Sequence, residues 1–173
     1  MCVIVDTNCF ANVFSKTSER HKEFEPVLDW ILNGKGKLIY GGTKYITELS
    51  KTPKYLRFIN ILKAKKNKVI VVDKEEVDEE QQRISAFITD DDFDDPHLPA
   101  IVNVSRCRII CSSDTRSVKF VTDPKLYHNG VHPPVYYTGS RNEDLLCDQY
   151  IDDRYKPLNK LNKIEREAIK KYL

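Results

Sequence analysis

Two aspartates stand just beyond short apolar runs that are typical of buried strands. Asp6 directly follows Val3-Ile4-Val5, and Asp114 follows Ile109-Ile110-Cys111 after two serines. The carboxyl ends of strands in an open parallel sheet face the crevice where ligands bind, so we expect both carboxylates at one edge of one sheet. A simple turn at Asp6 and a helix cap at Asp114 are the structural alternatives, because aspartate favours both positions.

Two further acids stand on or beside predicted helices near that edge. Asp95 precedes Pro96, which predicts an N-cap aspartate with proline at the first helical position. Glu48 lies on a short helix whose predicted N-cap is Thr43. A cap or a solvent-facing acid is the simpler interpretation in each case, although an N-cap acid can also be a ligand. His97 is interpreted as a supporting or surface residue rather than as a metal ligand.

Strands and helices alternate along the part of the chain that must position these acids. Short β-branched runs predict five strands buried on both faces, and helical spacing of apolar residues fills the segments between them. This alternation predicts an α/β fold, a three-layer α/β/α sandwich with a central, mostly parallel sheet of about five strands. The predicted strands are residues 2–5, 37–40, 69–72, 108–111 and 134–137.

The composition excludes several classes of protein. With 173 residues, 40% of them hydrophobic and 31% charged, the chain is expected to fold rather than to remain disordered. It has no apolar run near the ~20 residues that span a bilayer, and its first residues lack the basic segment of a signal peptide. Its five cysteines form no CxxC pair, which predicts reduced thiols, no zinc site and a cytoplasmic protein.

Basic residues are concentrated in two stretches. Residues 51–68 include seven basic residues and no acid, and residues 155–173 include six basic residues. The second stretch is predicted as one helix, with Leu158, Leu161 and Ile164 among the residues of its apolar face. Both stretches could attract phosphates, but an ordinary solvated lysine-rich face explains them too.

Four segments, in this order and spacing, resemble the motifs of PIN-domain nucleases. The resemblance assigns a PIN-like nuclease domain to residues 1–140 and a C-terminal extension with a basic helix to residues 141–173. Many members carry another acid two residues after the last motif, where this chain has Arg116. The four segments are Val3-Ile4-Val5-Asp6-Thr7-Asn8, Ile46-Thr47-Glu48-Leu49, Asp95-Pro96-His97-Leu98-Pro99-Ala100 and Ile109-Ile110-Cys111-Ser112-Ser113-Asp114.

The resemblance implies a divalent-metal site. Four converging carboxylates would repel one another, and a hard cation such as Mg²⁺ or Mn²⁺ relieves that repulsion. Such an ion lowers the pKa of bound water and stabilises charge on a phosphodiester. The implied catalytic and metal-binding residues are Asp6, Glu48, Asp95 and Asp114, supported by Thr7, Asn8, Ser112 and Ser113.

The expected function is a metal-dependent endoribonuclease. Many relatives are toxins of toxin–antitoxin pairs, so the resemblance implies an antitoxin protein and a homodimer as partners. A non-catalytic PIN-like module that binds RNA or protein is the main alternative, and a DNA-directed nuclease of similar fold is another. The residues predicted to contact RNA are Lys51, Lys54, Arg57, Lys63, Lys65, Lys66 and Arg116.

Overall fold

The structure, a computed structural model, describes residues 2–65, 68–147 and 152–173. Within these ranges the chain forms five strands and eight α-helices, and no helix is both long and apolar enough to cross a membrane. The strands are β1 (Cys2–Val5), β2 (Lys37–Tyr40), β3 (Val69–Val71), β4 (Ile109–Cys111) and β5 (Val135–Tyr137). The helices are α1 (Phe10–Phe14), α2 (His21–Leu32), α3 (Thr43–Ser50), α4 (Pro53–Lys63), α5 (Lys74–Phe87), α6 (His97–Ser105), α7 (Val118–Val121) and α8 (Lys163–Lys170).

The five strands form one parallel sheet in the order β3-β2-β1-β4-β5. Helices flank the sheet, which confirms the predicted three-layer α/β/α sandwich. We call the edge at which the strands end the carboxyl edge, and the edge at which they begin the amino edge. Since β2 and β4 lie on opposite sides of β1, the connections change direction between β1 and β4. In open α/β sheets this switch point is where ligands bind.

Apolar side chains fill both faces of the sheet. All four residues of β1 are buried, as are Ile109, Ile110 and Cys111 of β4. Helix α2 contributes a buried stripe at helical spacing, and α1 packs against α2 as α5 packs against α6. Each fully buried aliphatic side chain contributes ~1.5–3 kcal/mol to folding, so this core holds the strand ends rigidly in place.

Helix α3, which carries Glu48, begins differently from the prediction. Gly42, not Thr43, is the N-cap, with a positive φ of 79°. A Cβ there would lie 2.4 Å from Cγ1 of Val77, so glycine is needed for the close approach as well as for the backbone. The carboxylate of Asp78 acts as the cap from α5, because its Oδ1 accepts a hydrogen bond from the Thr43 N–H at 2.7 Å.

Neither Asp95 nor Asp114 opens a helix with its side chain. Helix α6 begins at His97, with Pro96 at the N-cap and no side-chain cap. After Asp114 the chain makes a turn, in which Oδ1 accepts from the backbone N–H of Arg116 at 2.9 Å, and the next helix begins only at Val118. Asp95 therefore remains available for other contacts.

Helix α5, in the acid-rich segment after β3, has no counterpart among the predicted helices. Only Val77 and Ile84 are buried along it, which is too narrow a stripe to reveal helical periodicity. The side chain of Asp73 caps the helix by accepting from the backbone N–H groups of Glu75 and Glu76. A strong N-cap and tertiary packing, rather than a wide apolar face, hold this helix.

The basic tail forms a shorter helix than predicted for residues 155–173. Helix α8 begins after Asn162, which forms a capping box with Glu165. Ile169 and Leu161 are buried, but Ile164 is 79% exposed, so its predicted place on the apolar face was wrong. The capping box fixes the start of the helix and thereby turns Ile164 away from the core.

Two lysines are buried at the amino edge. Nζ of Lys68, which is 0% exposed, donates to the carbonyl oxygens of Gly34 at 3.0 Å and Gly36 at 3.2 Å. Nζ of Lys37 donates to the carbonyl oxygen of Tyr155 at 2.7 Å, which ties the C-terminal extension to the sheet. The basic stretch 51–68 was predicted to attract phosphates. Lys68 is buried and therefore does not belong to such a surface.

Candidate metal centre

Asp6 lies at the switch point, where β1 and β4 run side by side. Its backbone N–H donates to the carbonyl oxygen of Cys111 at 2.9 Å. Its Oδ2 accepts from Oγ of Ser112 and from Nδ2 of Asn8, each at 2.7 Å. Its Oδ1 accepts from the Asn8 N–H at 3.3 Å, so Asp6 caps the following 3₁₀ turn as well. The Asp6 carboxylate can thus cap the turn and also belong to the candidate site.

Glu48 reaches the same edge from α3. One turn earlier, Tyr45 is fully buried and its hydroxyl donates to the carbonyl oxygen of Val5, which anchors the helix over the end of β1. Oε2 of Glu48 accepts from Oγ1 of Thr7 at 2.7 Å. Oγ of Ser113 donates to Oδ1 of Asn8 at 3.3 Å. Thr7 thus contacts a predicted site acid directly, and Ser113 reaches Asp6 through Asn8.

Asp114 is held by hydrogen bonds from both sides. Its backbone N–H donates to Oγ of Ser112 at 3.1 Å, so that one serine joins Asp6 and Asp114. Arg116 donates two hydrogen bonds to the carboxylate, from Nε to Oδ1 at 3.0 Å and from Nη2 to Oδ2 at 2.6 Å. These hydrogen bonds lower the pKa of Asp114. The Arg116 side chain is 70% exposed, so the pair lies at the rim.

Burial and neighbouring charges both act on Asp95. Burial, followed by the charges of Asp6 and Asp94, raises the pKa of Asp95 to about 6, against an opposing effect of Lys44. Burial also raises the pKa of Asp6, and the charges of Glu48 and Asp114 add to that increase although the Ser112 hydrogen bond opposes it. The acids therefore share one electrostatic environment that favours a cation.

Two groups of side chains in the described part of the chain could each hold one metal ion. Their ligand atoms lie within 4.8 Å of one another, and Asp95 belongs to both groups. Asp6 is in neither group and is linked to them through Ser112 and through its charge. The groups are Glu48, Asp95 and His97, and Asp94, Asp95 and Asp114.

His97 is the residue that sequence reasoning undervalued. Its side chain is 0% exposed, and Nδ1 and Nε2 both lack a hydrogen-bond partner. Burial, with a smaller effect of Lys44, lowers the pKa of His97 to about 3, which leaves the imidazole neutral near pH 7. Its place in the first turn of the helix that follows Asp95 was the only signal in the sequence.

Three lysines lie on or just after α3, and one of them is close to an acid of the site. Lys44 was not predicted as a site residue, yet its Nζ lies 3.8 Å from Oδ1 of Asp95. The exposed Lys51 follows the last residue of α3, three positions after Glu48 and so on the same helical face. Lys54 is also exposed, with Nζ 5.8 Å from the ring centroid of Tyr55. Of these three lysines, Lys44 lies beside an acid of the site.

The remaining basic residues of the stretch do not form one patch with the acids. The Arg57 guanidinium stacks on the ring of Tyr172, 5.1 Å from its centroid, at the C-terminal end of the chain. Lys63 ends α4, and Lys65 follows as the chain returns to the amino edge to enter β3. Lys66 lies outside the described residues. The predicted RNA contacts thus divide between the two edges.

Comparisons with known proteins found no matching family model, no matching curated protein and no matching solved structure. Function therefore has to be inferred from the chemistry of the carboxyl edge.

Proposed function

We propose that this protein is a PIN-like, metal-dependent endoribonuclease whose active centre is the carboxyl edge at the switch point. The observation that carries the proposal is the convergence of acids from β1, α3, the segment before α6 and β4. Oxygens of Asp94, Asp95 and Asp114 lie within 4.8 Å of one another, and an oxygen of Glu48 lies equally close to one of Asp95. Acids held this close without a cation destabilise the fold, so a cation-dependent function accounts for their position.

In this proposal each acid has its own role at the metal ion. Asp95, shared by both groups, would be the central ligand, with Glu48 and Asp114 on either side. Asp6 would hold a ligand water or the ion itself, and Ser112 and Asn8 orient its carboxylate. Bound Mg²⁺ or Mn²⁺ would activate water and stabilise charge on the phosphate.

The cations at the rim would bind the RNA backbone. Lys44 lies on the face of α3 that carries Glu48, Lys51 follows the last residue of that helix, and Arg116 is largely exposed. We expect Arg116 to exchange its contact with Asp114 for a phosphate oxygen, since guanidinium groups bind both anions with the same two-nitrogen geometry. An RNA strand would then lie across the end of β4.

The test is cleavage of a labelled single-stranded RNA by the full chain with Mn²⁺ or Mg²⁺. We expect Asp6→Asn to lower the rate of RNA cleavage by ~100-fold or more. The substitution removes a negative charge that would hold the metal ion, or its water, at the reacting phosphate. Asp91→Asn, in an exposed loop, is the matched control and should retain activity. A folded Asp6→Asn protein with full activity would contradict the proposal, as would the absence of divalent-dependent cleavage in the unsubstituted chain. Equal cleavage of DNA would indicate a nuclease without selectivity for RNA.

The Arg116–Asp114 pair favours a second candidate, a non-catalytic module that binds RNA or protein. An arginine that neutralises a ligand acid weakens a metal site. RNA binding without cleavage, unchanged by Asp6→Asn, would support this module instead. An antitoxin partner and a homodimer rest on the family resemblance alone and stay predictions.

A further inference from the structure

The imidazole of His97 is buried without a hydrogen bond. Nε2 lies 3.9 Å from Oε2 of Glu48, and Nδ1 lies 3.8 Å from Oδ1 of Asp95, both too long for hydrogen bonds. A buried polar group without a partner has lost its hydrogen bonds to water and gained none in return, which destabilises the fold. Most buried polar atoms in folded proteins have partners, so this exception calls for a ligand.

Packing holds the ring in this orientation. The ring of Tyr45 meets the imidazole edge to face, with centroids 6.2 Å apart. His97 is in the first turn of α6, whose residues are almost all buried, so the backbone cannot move away from the acids without opening the core. The imidazole is therefore preorganised beside the two carboxylates.

The spacing suits a shared metal ion. Two ligand atoms that each lie about 2.1 Å from one ion are separated by roughly 3–4 Å, depending on the angle between them. The short distances at His97 involve different ring nitrogens, Nε2 toward Glu48 and Nδ1 toward Asp95, and one ion would bind only one of them. One ring nitrogen and one oxygen from each acid lie within 4.8 Å of one another, close enough for a bound ion to draw them into this range. An imidazole with two carboxylates is a nitrogen–oxygen donor set, whereas Asp94, Asp95 and Asp114 offer oxygen alone.

We propose that His97 is a nitrogen ligand of the cation site, together with Glu48 and Asp95, and that it makes the site select Mn²⁺ over Mg²⁺. Imidazole binds transition-metal ions well, whereas Mg²⁺ prefers oxygen ligands and keeps its water. The inference deepens the proposed nuclease function, on which its biological role rests. The metal selectivity itself is a property of the site and can be measured without RNA.

The experiment is pulsed electron paramagnetic resonance of the full chain loaded with Mn²⁺ alone. We expect modulation of the electron spin echo by a directly bound nitrogen, and loss of this signal in His97→Gln. By titration calorimetry, His97→Gln should weaken Mn²⁺ binding by ~10-fold or more and change Mg²⁺ binding far less. His132→Gln, at an exposed histidine, is the matched control and should keep both the signal and the affinity.

A second measurement keeps the test valid if His97→Gln does not fold. Histidine labelled with the heavy nitrogen isotope should change the modulation, which assigns the bound nitrogen to a histidine. The variants His21→Gln, His128→Gln and His132→Gln should each keep it, which leaves His97 as the ligand.

The outcomes separate this inference from the proposed function. Mn²⁺ bound without a nitrogen signal, or with no preference over Mg²⁺, overturns the inference and leaves the nuclease proposal standing. Nitrogen coordination in a protein that cleaves no RNA supports the inference and overturns the nuclease. If Mn²⁺ does not bind at all, the inference fails.

Discussion

The two edges of the sheet both bury ionisable side chains, but they satisfy them differently. At the amino edge, Lys68 donates to two backbone carbonyl oxygens and Lys37 donates to that of Tyr155. At the carboxyl edge, the charges of Asp6 and Asp94 act on the buried Asp95 against the opposing charge of Lys44, and His97 has no hydrogen-bond partner. Groups of the chain itself satisfy the two buried lysines of the amino edge, whereas the buried imidazole of the carboxyl edge has no such partner.

This difference indicates how a structural charge is told from a functional one. Burial, followed by the charges of Lys37 and Lys160, lowers the pKa of Lys68 to about 8, and burial also lowers the pKa of Lys37. Both lysines are therefore costly to bury, yet backbone carbonyl oxygens accept hydrogen bonds from each of them. Acids that repel one another beside an imidazole without a hydrogen-bond partner instead lower the free energy of unfolding. Proteins retain such costs where activity depends on them. The predictions below test this contrast by removing charges from each edge.

The largest expected effect is at the amino edge. Lys68→Ala removes a fully buried stem and the donor of the Gly34 and Gly36 carbonyl groups. We expect the free energy of unfolding to fall by about 3 kcal/mol, from the cavity and the lost hydrogen bonds. Urea unfolding at pH 7 measures it. Lys63→Ala, at an exposed lysine of α4, is the control and should change stability by less than ~0.5 kcal/mol. If the Lys68→Ala protein is as stable as the control, the hydrogen bonds of Lys68 do not stabilise the amino edge, and the difference between the two edges is contradicted.

At the carboxyl edge we expect a substitution to raise the free energy of unfolding rather than to lower it. Asp95→Asn removes the acid whose pKa is raised most clearly by burial and by Asp6 and Asp94. In the presence of a chelator at pH 7, we expect this substitution to raise the free energy of unfolding by about 2 kcal/mol. The upper bound is about 3 kcal/mol, the equivalent of raising a carboxyl pKa to about 6. Adding Mn²⁺ should stabilise the unsubstituted chain but not Asp95→Asn.

The pH dependence identifies the cause of that gain. Asp95 binds its proton more tightly in the folded state, so its ionisation destabilises the fold as the pH rises from 3.8 to about 6. The advantage of Asp95→Asn should be complete above pH 6 and vanish below pH 4. Asp91→Asn, in the exposed loop, should show no such window. An advantage that persists at pH 3 would point to a cause other than charge.

A smaller effect tests whether the C-terminal extension belongs to the amino edge. The hydroxyl of Tyr155 donates to the carbonyl oxygen of Ser105 at 2.6 Å, at the end of α6. Tyr155→Phe removes that donor, and we expect a loss of about 1 kcal/mol in the free energy of unfolding. Tyr172→Phe, at a ring that is 39% exposed, is the control and should be nearly neutral. Equal stability of the two variants would show that the contact at Ser105 contributes nothing.

The smallest effect is expected at the rim of the candidate metal centre. Arg116→Gln frees the Asp114 carboxylate, so we expect Mn²⁺ affinity by calorimetry to rise by about 2–5-fold, the range of an exposed ion pair. The matched control is Arg154→Gln, because Arg154 and Asp152 repeat the same Asp-X-Arg contact, with Nε 3.1 Å from Oδ1, in the C-terminal extension tied to the amino edge. The control should leave Mn²⁺ binding unchanged. Weaker Mn²⁺ binding in Arg116→Gln would exclude Asp114 as a ligand.

Local patterns predicted most of the architecture. Continuous β-branched runs located the five strands to within a residue or two, because strands buried on both faces need apolar side chains throughout. They also predicted that Asp6 and Asp114 share an edge, since parallel strands end together. Helix α5 was missed because its buried residues, Val77 and Ile84, are too sparse to show a period.

The tail shows where local patterns mislead. Apolar residues at helical spacing predicted a longer helix with Ile164 on its buried face, but Ile164 is 79% exposed. The capping box of Asn162 and Glu165 decided where the helix begins, and the packing of α8 against α4 decided which face is covered.

The order of the elements and the edge at which the acids lie follow from short-range periodicity and from parallel pairing, so they could be predicted from the amino-acid sequence. Which of the many charged residues are buried, and what surrounds them, became clear only in the folded chain. Lys68 and Lys65 are alike in the sequence, yet one is enclosed by backbone carbonyl groups and the other is partly exposed. His97 became a candidate ligand only when α6 brought it beside Glu48, nearly fifty residues away in the chain. Burial and electrostatic environment depend on contacts between distant segments, and a local pattern does not contain them.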